Sequence, residues 1–267
     1  HTGHDDALFQ PWDGTGEFSY SEDGRAYVYL TEGAAVSLTL TEGQQLYLCL
    51  NGKEWNGSSE SLGAITIEAG GKLTLCDCKG TGTISKVTVD GGELEVFGGN
   101  VGRLSLKEQN PKVQLYGGTF ADISPAGSGM VAITDLLAPG YAFRDHKGTL
   151  AGTPGGLVDY GRKAFAATRF ADYEVVVCEH GGVNEVMGYC RYCGKPYDAK
   201  ITDKYGNVHY TEELQESDFA EGNTVVLFRD KPDYQCAPQS SCTIDLNGHS
   251  LGRISFIADG KTLILKG

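Results

Sequence analysis

Residues 64–76 read AITIEAGGKLTLC, residues 86–96 read KVTVDGGELEV, and residues 103–115 read RLSLKEQNPKVQL. In each segment, two short stretches of alternating apolar and polar residues are joined by a turn, and this period of two is typical of β-strands with one buried face. A third alternating stretch recurs at residues 83–85, 100–102 and 119–121. Successive units start 17 to 22 residues apart. Three short strands per repeat therefore predict the rungs of a three-faced β-solenoid.

Glycine supports this interpretation, because 38 of the 267 residues are glycine, about twice the usual ~7%. Many stand in pairs at the predicted corners, namely residues 70–71, 91–92, 98–99 and 117–118, where they would supply positive φ angles. An ordinary β-sandwich also uses short strands, but it does not require triplets that recur at this spacing. The composition thus predicts an all-β chain and disfavours a helical bundle.

The sequence also contains a repeat with a longer period than the rungs. The motif Leu-Asn-Gly at residues 50–52 recurs at residues 246–248, and each copy is preceded and followed by similar strands. From Leu30 to Leu50 is 20 residues, and from Leu227 to Leu246 is 19. The second copy therefore predicts the opening rungs of a second solenoid, and since stacked repeats need neighbours we expect the chain to belong to a longer tandem array.

We predict four regions: an N-terminal linker at 1–17, a β-helix at 18–150, a linker with a metal-binding knuckle at 151–200, and a partial second β-helix at 201–267. The formal net charge of −13 disfavours nucleic acid and anionic membrane surfaces as partners. No apolar run of about 18 residues predicts membrane insertion.

The predicted linker contains a candidate metal site. After Cys178 and His180 come nine intervening residues, and then Cys190 and Cys193. Three thiolates and one imidazole form a four-ligand set suited to tetrahedral zinc, and filling all four positions with protein makes the predicted zinc structural. Gly194 would relieve the turn after the last ligand. The alternative is a disulfide beside an unrelated histidine.

The other cysteines permit a smaller prediction. Aligning the two copies places Cys49 opposite Asp245 and Cys76 opposite Lys266. If these positions stack on adjacent rungs, a thiol pair in one copy replaces an ion pair in the other. We therefore expect Cys49 and Cys76 to be neighbours on an outward face, within or near disulfide reach. Further open alternatives are a small loop closed by Cys236 and Cys242, and reduced, partly buried thiols at these positions and at Cys78.

These motifs resemble repeats of large cell-surface proteins of Gram-positive gut and oral bacteria. The resemblance rests on residues 48–52 (LCLNG), residues 73–80 (LTLCDCKG), the Cys-x-His…Cys-x-x-Cys-Gly knuckle, and the closing segment at residues 137–143 (LAPGYAF). It implies a right-handed parallel β-helix within a multidomain protein that is secreted or attached to the cell wall. Its motifs are specific for architecture and say little about activity.

The first functional hypothesis is a non-catalytic structural or adhesive module that binds glycan or host surface protein and adjoins other domains of the same parent chain. Exposed rings can serve as platforms for sugars, and the candidates are Trp55, Tyr27, Tyr29, Tyr47 and Tyr116. The alternative is that these rings cover the solenoid flank or fill a cap. The N-terminal residues 1–6 (HTGHDD) are interpreted as a solvated terminus, with the remnant of a metal knuckle as the alternative.

The second hypothesis is a polysaccharide-degrading lyase or glycosidase, or an accessory domain of a surface hydrolase. Such chemistry needs clustered carboxylates. No repeated spacing stacks several carboxylates on one outward face. The candidate acids are Asp77, Asp90, Glu93, Glu95, Asp122 and Asp135. Motifs of serine hydrolases, zincins and P-loops are missing from the sequence. We therefore assign no catalytic residue and do not expect catalysis within this chain.

Overall fold

The computed structural model describes residues 8–56, 63–108, 110–125, 133–145, 148, 150, 151, 173–255 and 259–267. Contacts between Cα atoms divide the chain into two units, His1–Glu179 and His180–Gly267. The regular structure of the described residues is β-strand, apart from two short 3-10 turns at Ile133–Leu136 and Glu216–Phe219. No helix among them is long and apolar enough to cross a membrane. The all-β prediction is confirmed.

The first unit contains strands β1–β16. Their bounds are β1 Gln10–Trp12, β2 Arg25–Leu30, β3 Leu38–Leu40, β4 Gln45–Cys49, β5 Glu54–Trp55, β6 Ala64–Glu68, β7 Lys72–Cys76, β8 Thr83–Asp90, β9 Glu93–Val96, β10 Asn100–Leu106, β11 Lys112–Leu115, β12 Thr119–Phe120, β13 Ile123–Pro125, β14 Tyr141–Asp145, β15 Leu150–Ala151 and β16 Tyr173–Val177. The first strand starts at Gln10 and pairs in parallel with β2, so residues 10–12 already form part of a rung.

Two stacks of parallel strands build the solenoid of the first unit. One sheet has the order β1-β2-β4-β7-β9-β11, and the other runs β12-β10-β8-β6-β3, with β5 and β13 as side pairings. The register agrees with the sequence repeat, because Leu73 lies opposite Leu94 and Val87 lies opposite both Ile65 and Leu104. The predicted β-solenoid is confirmed.

Two of the three predicted faces share continuous strands. The triplets at residues 83–85 and 87–89 belong to one strand, β8, and those at 100–102 and 104–106 belong to β10. Along β8 the buried Ile84 and Val87 stand three residues apart, which breaks the period of two and turns both side chains into the same interior. The corner between these faces is therefore a bend within a strand.

The interior of this unit consists of apolar side chains stacked from rung to rung. The rows contain leucine, isoleucine and valine with relative exposures of 0–4%: Leu46, Leu73, Leu94 and Val113; Leu48, Leu75, Val96 and Leu115; Ile65, Val87, Leu104 and Ile123. Each row is continuous because parallel strands about 4.8 Å apart place like residues over one another. The strands β14, β15 and β16 pair antiparallel beyond β12 and end this stacking.

The glycine pairs serve the corners in two ways. At residues 91–92, Gly91 has a φ of +86°, as predicted. Gly92 instead allows close approach of the preceding rung, since a Cβ there would lie 2.5 Å from the Glu68 carbonyl oxygen. A pair is needed because one glycine adopts the positive φ of the turn, while the other lets the backbone of the preceding rung approach closely.

The second unit contains strands β17–β25. Their bounds are β17 Val183–Asn184, β18 Tyr189–Cys190, β19 Ala199–Thr202, β20 Val208–Thr211, β21 Thr224–Leu227, β22 Lys231–Cys236, β23 Cys242–Asp245, β24 Leu251–Ile254 and β25 Leu263–Lys266. Strands β21, β23 and β25 pair in parallel, as do β22 and β24. The predicted opening rungs of a second solenoid are confirmed. An antiparallel hairpin of β19 and β20 adjoins β21.

Candidate metal centre

The structure brings together the four residues that the spacing predicts as metal ligands. One ligand atom from each of Cys178, His180, Cys190 and Cys193 lies within 4.8 Å of all the others. Cys178 and Cys190 are buried, whereas His180 and Cys193 are half-buried. Within the described parts of the chain, no second group of three or more Cys, His, Asp or Glu side chains clusters in this way.

Short local elements present the four side chains. Cys178 follows β16 directly, and its amide donates a hydrogen bond to the Gly140 carbonyl at 2.8 Å. Cys190 is the last residue of β18, where it lies opposite Val183 in a two-stranded antiparallel hairpin. The hairpin reverses at Asn184, whose side-chain oxygen accepts hydrogen bonds from two amides of the turn. The hairpin thus holds the second half of the motif.

A tight turn at residues 190–194 brings Cys193 back beside Cys190. The Gly194 amide donates to the Cys190 carbonyl at 2.7 Å, and the Cys190 amide donates to the Lys195 carbonyl at 2.8 Å. Gly194 has a φ of +69°, so the expected role of this glycine in the turn is confirmed. A side chain at this φ would be strained.

The electrostatics of the cluster favour the thiolate of Cys190. The Cys193 side chain donates a hydrogen bond to the Cys190 sulfur, and His180 with the amides of Tyr192 and Cys193 adds further hydrogen bonds. Together these bonds lower the pKa of the Cys190 thiol to about 4, against the opposing effect of burial. Since the thiolate is the form that ligates metals, these hydrogen bonds favour the form of this sulfur that binds a metal.

The geometry fits a tetrahedral ion. A tetrahedron with metal–sulfur bonds of ~2.3 Å has edges of roughly 3.8 Å. The Cys193 sulfur lies 3.3 Å from Nδ1 of His180, and no ligand pair exceeds 4.8 Å, so the spacing of the donors is compatible with that edge length. His180 also has a positive φ of 55°, an unusual conformation for a residue with a side chain. The cluster can therefore hold a metal ion.

Comparisons of the chain with protein-family models, with curated proteins and with solved structures find no match. The resemblance to bacterial cell-surface repeats thus stays a prediction. The fold and the site define the class as an all-β parallel solenoid with a candidate metal site of three cysteines and one histidine.

The thiol pair predicted from the repeat is present, and the alternation along β4 and β7 places both cysteines on the face opposite the inward leucines, as expected. Cys49 and Cys76 are register partners on β4 and β7, yet Cys49 has a relative exposure of 0%. The Cys78 side chain lies over it, with the two sulfurs 3.5 Å apart. In the other copy Asp245 and Lys266 are register partners, and these two described residues form no ion pair. Cys236 and Cys242 are thiols in the apolar core of the second unit.

The aromatic candidates divide into buried and surface rings. Trp55 is fully buried and donates from Nε1 to the Val36 carbonyl at 2.9 Å, so it is part of the core and no platform. Tyr27 and Tyr47 stack face to face, with ring centroids 4.4 Å apart. Tyr116 stacks in the same way on Phe97, at 4.5 Å. Phe97 was missed because it directly follows an alternating stretch and no motif marks it.

The candidate carboxylates mostly have structural partners. Asp77 accepts hydrogen bonds from the amides of Gly52 and Gly82. Three others form ion pairs with basic residues of neighbouring rungs: Glu93 with Lys112, Glu95 with Lys72, and Asp122 with Arg103. Asp90 and Asp135 are exposed. The N-terminal residues His1 and His4 lie outside the described residues.

Proposed function

We propose that the ion is zinc and that its role is structural. Thiolate and imidazole are the donors that zinc takes in structural sites, where it is four-coordinate. Because the protein supplies all four donors, no position is left for a water molecule that could act as a nucleophile. The observation that supports this proposal is the cluster of one ligand atom from each of the four residues. Bound metal would fix the turn at residues 190–194 beside His180.

Cobalt substitution tests both the metal site and its ligands. The purified full chain, stripped of metal by a chelator, is titrated with Co²⁺ under reducing conditions. We expect the absorption of a tetrahedral cobalt centre with thiolate charge-transfer bands, displaced by one equivalent of Zn²⁺. Cys193→Ser should weaken these bands, whereas Cys242→Ser, which removes a buried thiol far from the motif in sequence, should leave them unchanged. An octahedral spectrum without thiolate bands would contradict the proposal.

We also propose that the chain is a non-catalytic structural or adhesive module of a larger secreted or cell-wall-attached bacterial surface protein, and that it binds glycan or host protein. The supporting observation is the outer face of the six-stranded sheet, where polar and aromatic side chains of successive rungs stand in register and form rows. One row contains Arg25, Gln45, Lys72, Glu93 and Lys112, and the next contains Tyr27, Tyr47, Thr74, Glu95 and Gln114. A linear polar surface of this kind suits an extended polymer.

The aromatic side chains suggest where such a partner would bind. Phe97 is 51% exposed and stacks on Tyr116, with an angle of 3° between the rings. Tyr116 also contacts the ring of Tyr141 in an edge-to-face arrangement, with the ring centroids 5.7 Å apart. An exposed apolar ring surface of this kind is unfavourable in water, and the apolar face of a sugar ring or an apolar side chain could cover it.

A binding screen tests this second proposal. The full chain is applied to glycan arrays and to panels of host matrix proteins. For any partner found, Phe97→Ala should weaken binding by about tenfold or more, since removing a central aromatic contact costs at least ~1.4 kcal/mol. Tyr205→Ala is the matched control, because Tyr205 is an exposed ring (78%) of the second unit. Absence of any binding would overturn the adhesive role. New reducing or unsaturated ends from pectin, alginate or glycosaminoglycans would overturn the non-catalytic assignment.

A further inference from the structure

Three thiols meet at one corner of the first solenoid, far from the metal-cluster residues in sequence. Cys49 ends β4 and Cys76 ends β7, and the two are register partners. Cys78 lies two residues beyond β7, and its sulfur is 3.5 Å from that of Cys49. All three side chains are thiols in this structure.

We propose that this corner is a reversible disulfide site, in which Cys49 and Cys78 form a bond on exchange with a low-molecular-weight disulfide such as oxidised glutathione. The inference does not depend on the proposed function. It differs from the pairing of Cys49 with Cys76 that the repeat suggests, because the turn after β7 brings Cys78 over Cys49.

The burial of the two residues sets the order of the steps. Cys78 is half-buried, whereas Cys49 has 0% exposure. The Cys78 thiolate therefore attacks the small disulfide first, forming a mixed disulfide and releasing one thiol of the small molecule. Cys49 then attacks the Cys78 sulfur and releases the second small-molecule sulfur as a thiolate, which takes up the Cys49 proton. Two protein thiols and one small disulfide thus become one protein disulfide and two small thiols.

The backbone around Cys78 is held in place for this reaction. The Asp77 carboxylate accepts hydrogen bonds from the amide of Gly52 at 2.7 Å and from that of Gly82 at 2.6 Å. The Cys78 thiol also lies 3.6 Å from the side-chain oxygen of Asn51. A disulfide bond is ~2.05 Å long, so the two sulfurs must approach by roughly 1.5 Å. Side-chain rotation can supply this movement while the turn stays fixed.

The environment keeps the thiols protonated under reducing conditions. Burial, together with the hydrogen bond to Cys49, raises the pKa of Cys78 to about 11. The hydrogen bond with Cys49, followed by burial, raises the pKa of Cys76. Because thiolates are the attacking species, exchange at this corner is slow at neutral pH. The three cysteines therefore stay reduced in a reducing buffer, and the Cys49–Cys78 disulfide forms only on sustained exposure to an oxidising buffer.

Peptide mapping tests the assignment. The full chain with zinc added is equilibrated with oxidised glutathione, remaining thiols are alkylated, and the protein is cleaved after lysine and arginine and before aspartate. Cleavage before Asp77 separates Cys76 from Cys78. We expect the Cys49 peptide linked to the Cys78 peptide, with the loss of two hydrogens, and release of both by a reductant. Alkylation of both cysteines as thiols, or a link from Cys49 to Cys76, would overturn the assignment.

Two variants make the test independent of any single substitution. Cys49→Ser should leave Cys78 as a stable mixed disulfide with glutathione, because the second attack is lost. Cys76→Ser, the matched control, should leave the Cys49–Cys78 link intact. If Cys49→Ser fails to fold, Cys78→Ser in the turn replaces it, and it should abolish capture of glutathione at this corner. Capture at an unchanged level in Cys78→Ser would contradict the proposed order of attack.

Discussion

The two Leu-Asn-Gly corners, at residues 50–52 and 246–248, have the same backbone but different surroundings. Asn51 has a φ of 50° and Asn247 a φ of 48°. Each side-chain amide donates to a leucine carbonyl of the preceding rung, Leu30 at 2.8 Å and Leu227 at 3.0 Å. Asparagine tolerates this left-handed conformation better than other residues with side chains. The repeated motif therefore builds the same corner twice.

The corners differ in what covers them. Asn51 is 9% exposed, and the Gly52 amide beside it donates to Asp77 of the next rung. Asn247 is exposed, and its backbone amide donates to the side chain of Asp245 on the preceding strand, β23. Local sequence thus decides the conformation of the corner, while the neighbouring rung decides its burial and hence its contribution to stability. This difference can be tested by making the same change in both copies.

The largest difference is expected for two leucines that the repeat aligns, Leu75 and Leu265. Leu75 has 0% exposure, whereas Leu265 is 53% exposed on β25, the last strand of its sheet. Leu75→Ala should lower the free energy of unfolding of the first unit by about 2–5 kcal/mol, because it opens a cavity. Leu265→Ala should lower that of the second unit by less than ~1 kcal/mol. Urea unfolding followed by hydrogen exchange within each unit measures both. Equal losses would contradict the comparison.

A smaller difference is expected for the corner asparagines. Asn51→Ala should cost roughly 1–3 kcal/mol more than Asn247→Ala, because Asn51 is buried and its loss leaves the Leu30 carbonyl without a donor. Asn247 is exposed, so water can replace its side-chain amide at the Leu227 carbonyl. The strain of alanine at positive φ is common to both changes and cancels. Thermal unfolding of matched variants gives the difference. Glycine at each position is the control, since it removes the same hydrogen bond without strain, and a difference that vanished with glycine would assign the effect to strain.

The smallest effect is expected for the lysines that follow the turn glycines. Lys72 lies 2.9 Å from Glu95, and Lys261 lies 3.0 Å from Glu221. Both pairs are at least partly exposed, so Lys72→Met and Lys261→Met should each change stability by only about 0.2–1 kcal/mol, and less at high salt. Denaturation at low and high salt measures the change. A loss above 2 kcal/mol at either site would show that ion pairs, and not the apolar rows, hold the rungs together.

Most of the fold could be predicted from the repeat. The triplets at residues 65–67, 87–89 and 104–106 contain the same alternation, and the structure pairs them in the register that this alternation implies. The merging of two faces in β8 could not be predicted, since the bend depends on packing Ile84 and Val87 into one interior. Nor could the first rung at residues 10–12, because a three-residue strand has no detectable period.

The ligands of the candidate metal site could be predicted as well, because their spacing alone defines the motif. The hairpin that presents Cys190 could not, since Val183–Asn184 and Tyr189–Cys190 are too short to show alternation. The contact of Cys78 with Cys49 was also missed. It depends on the path of the turn after β7, which Asp77 holds through amides of two other segments.

The zinc content of the purified full chain tests the central claim most directly. Elemental analysis after dialysis should give one zinc per chain, and Cys190→Ser should lose it, because the substitution removes a buried thiolate ligand. Cys236→Ser, at a buried thiol outside the cluster, should retain the metal. Less than about half a zinc per chain, or equal zinc in all three proteins, would contradict a structural zinc at Cys178, His180, Cys190 and Cys193.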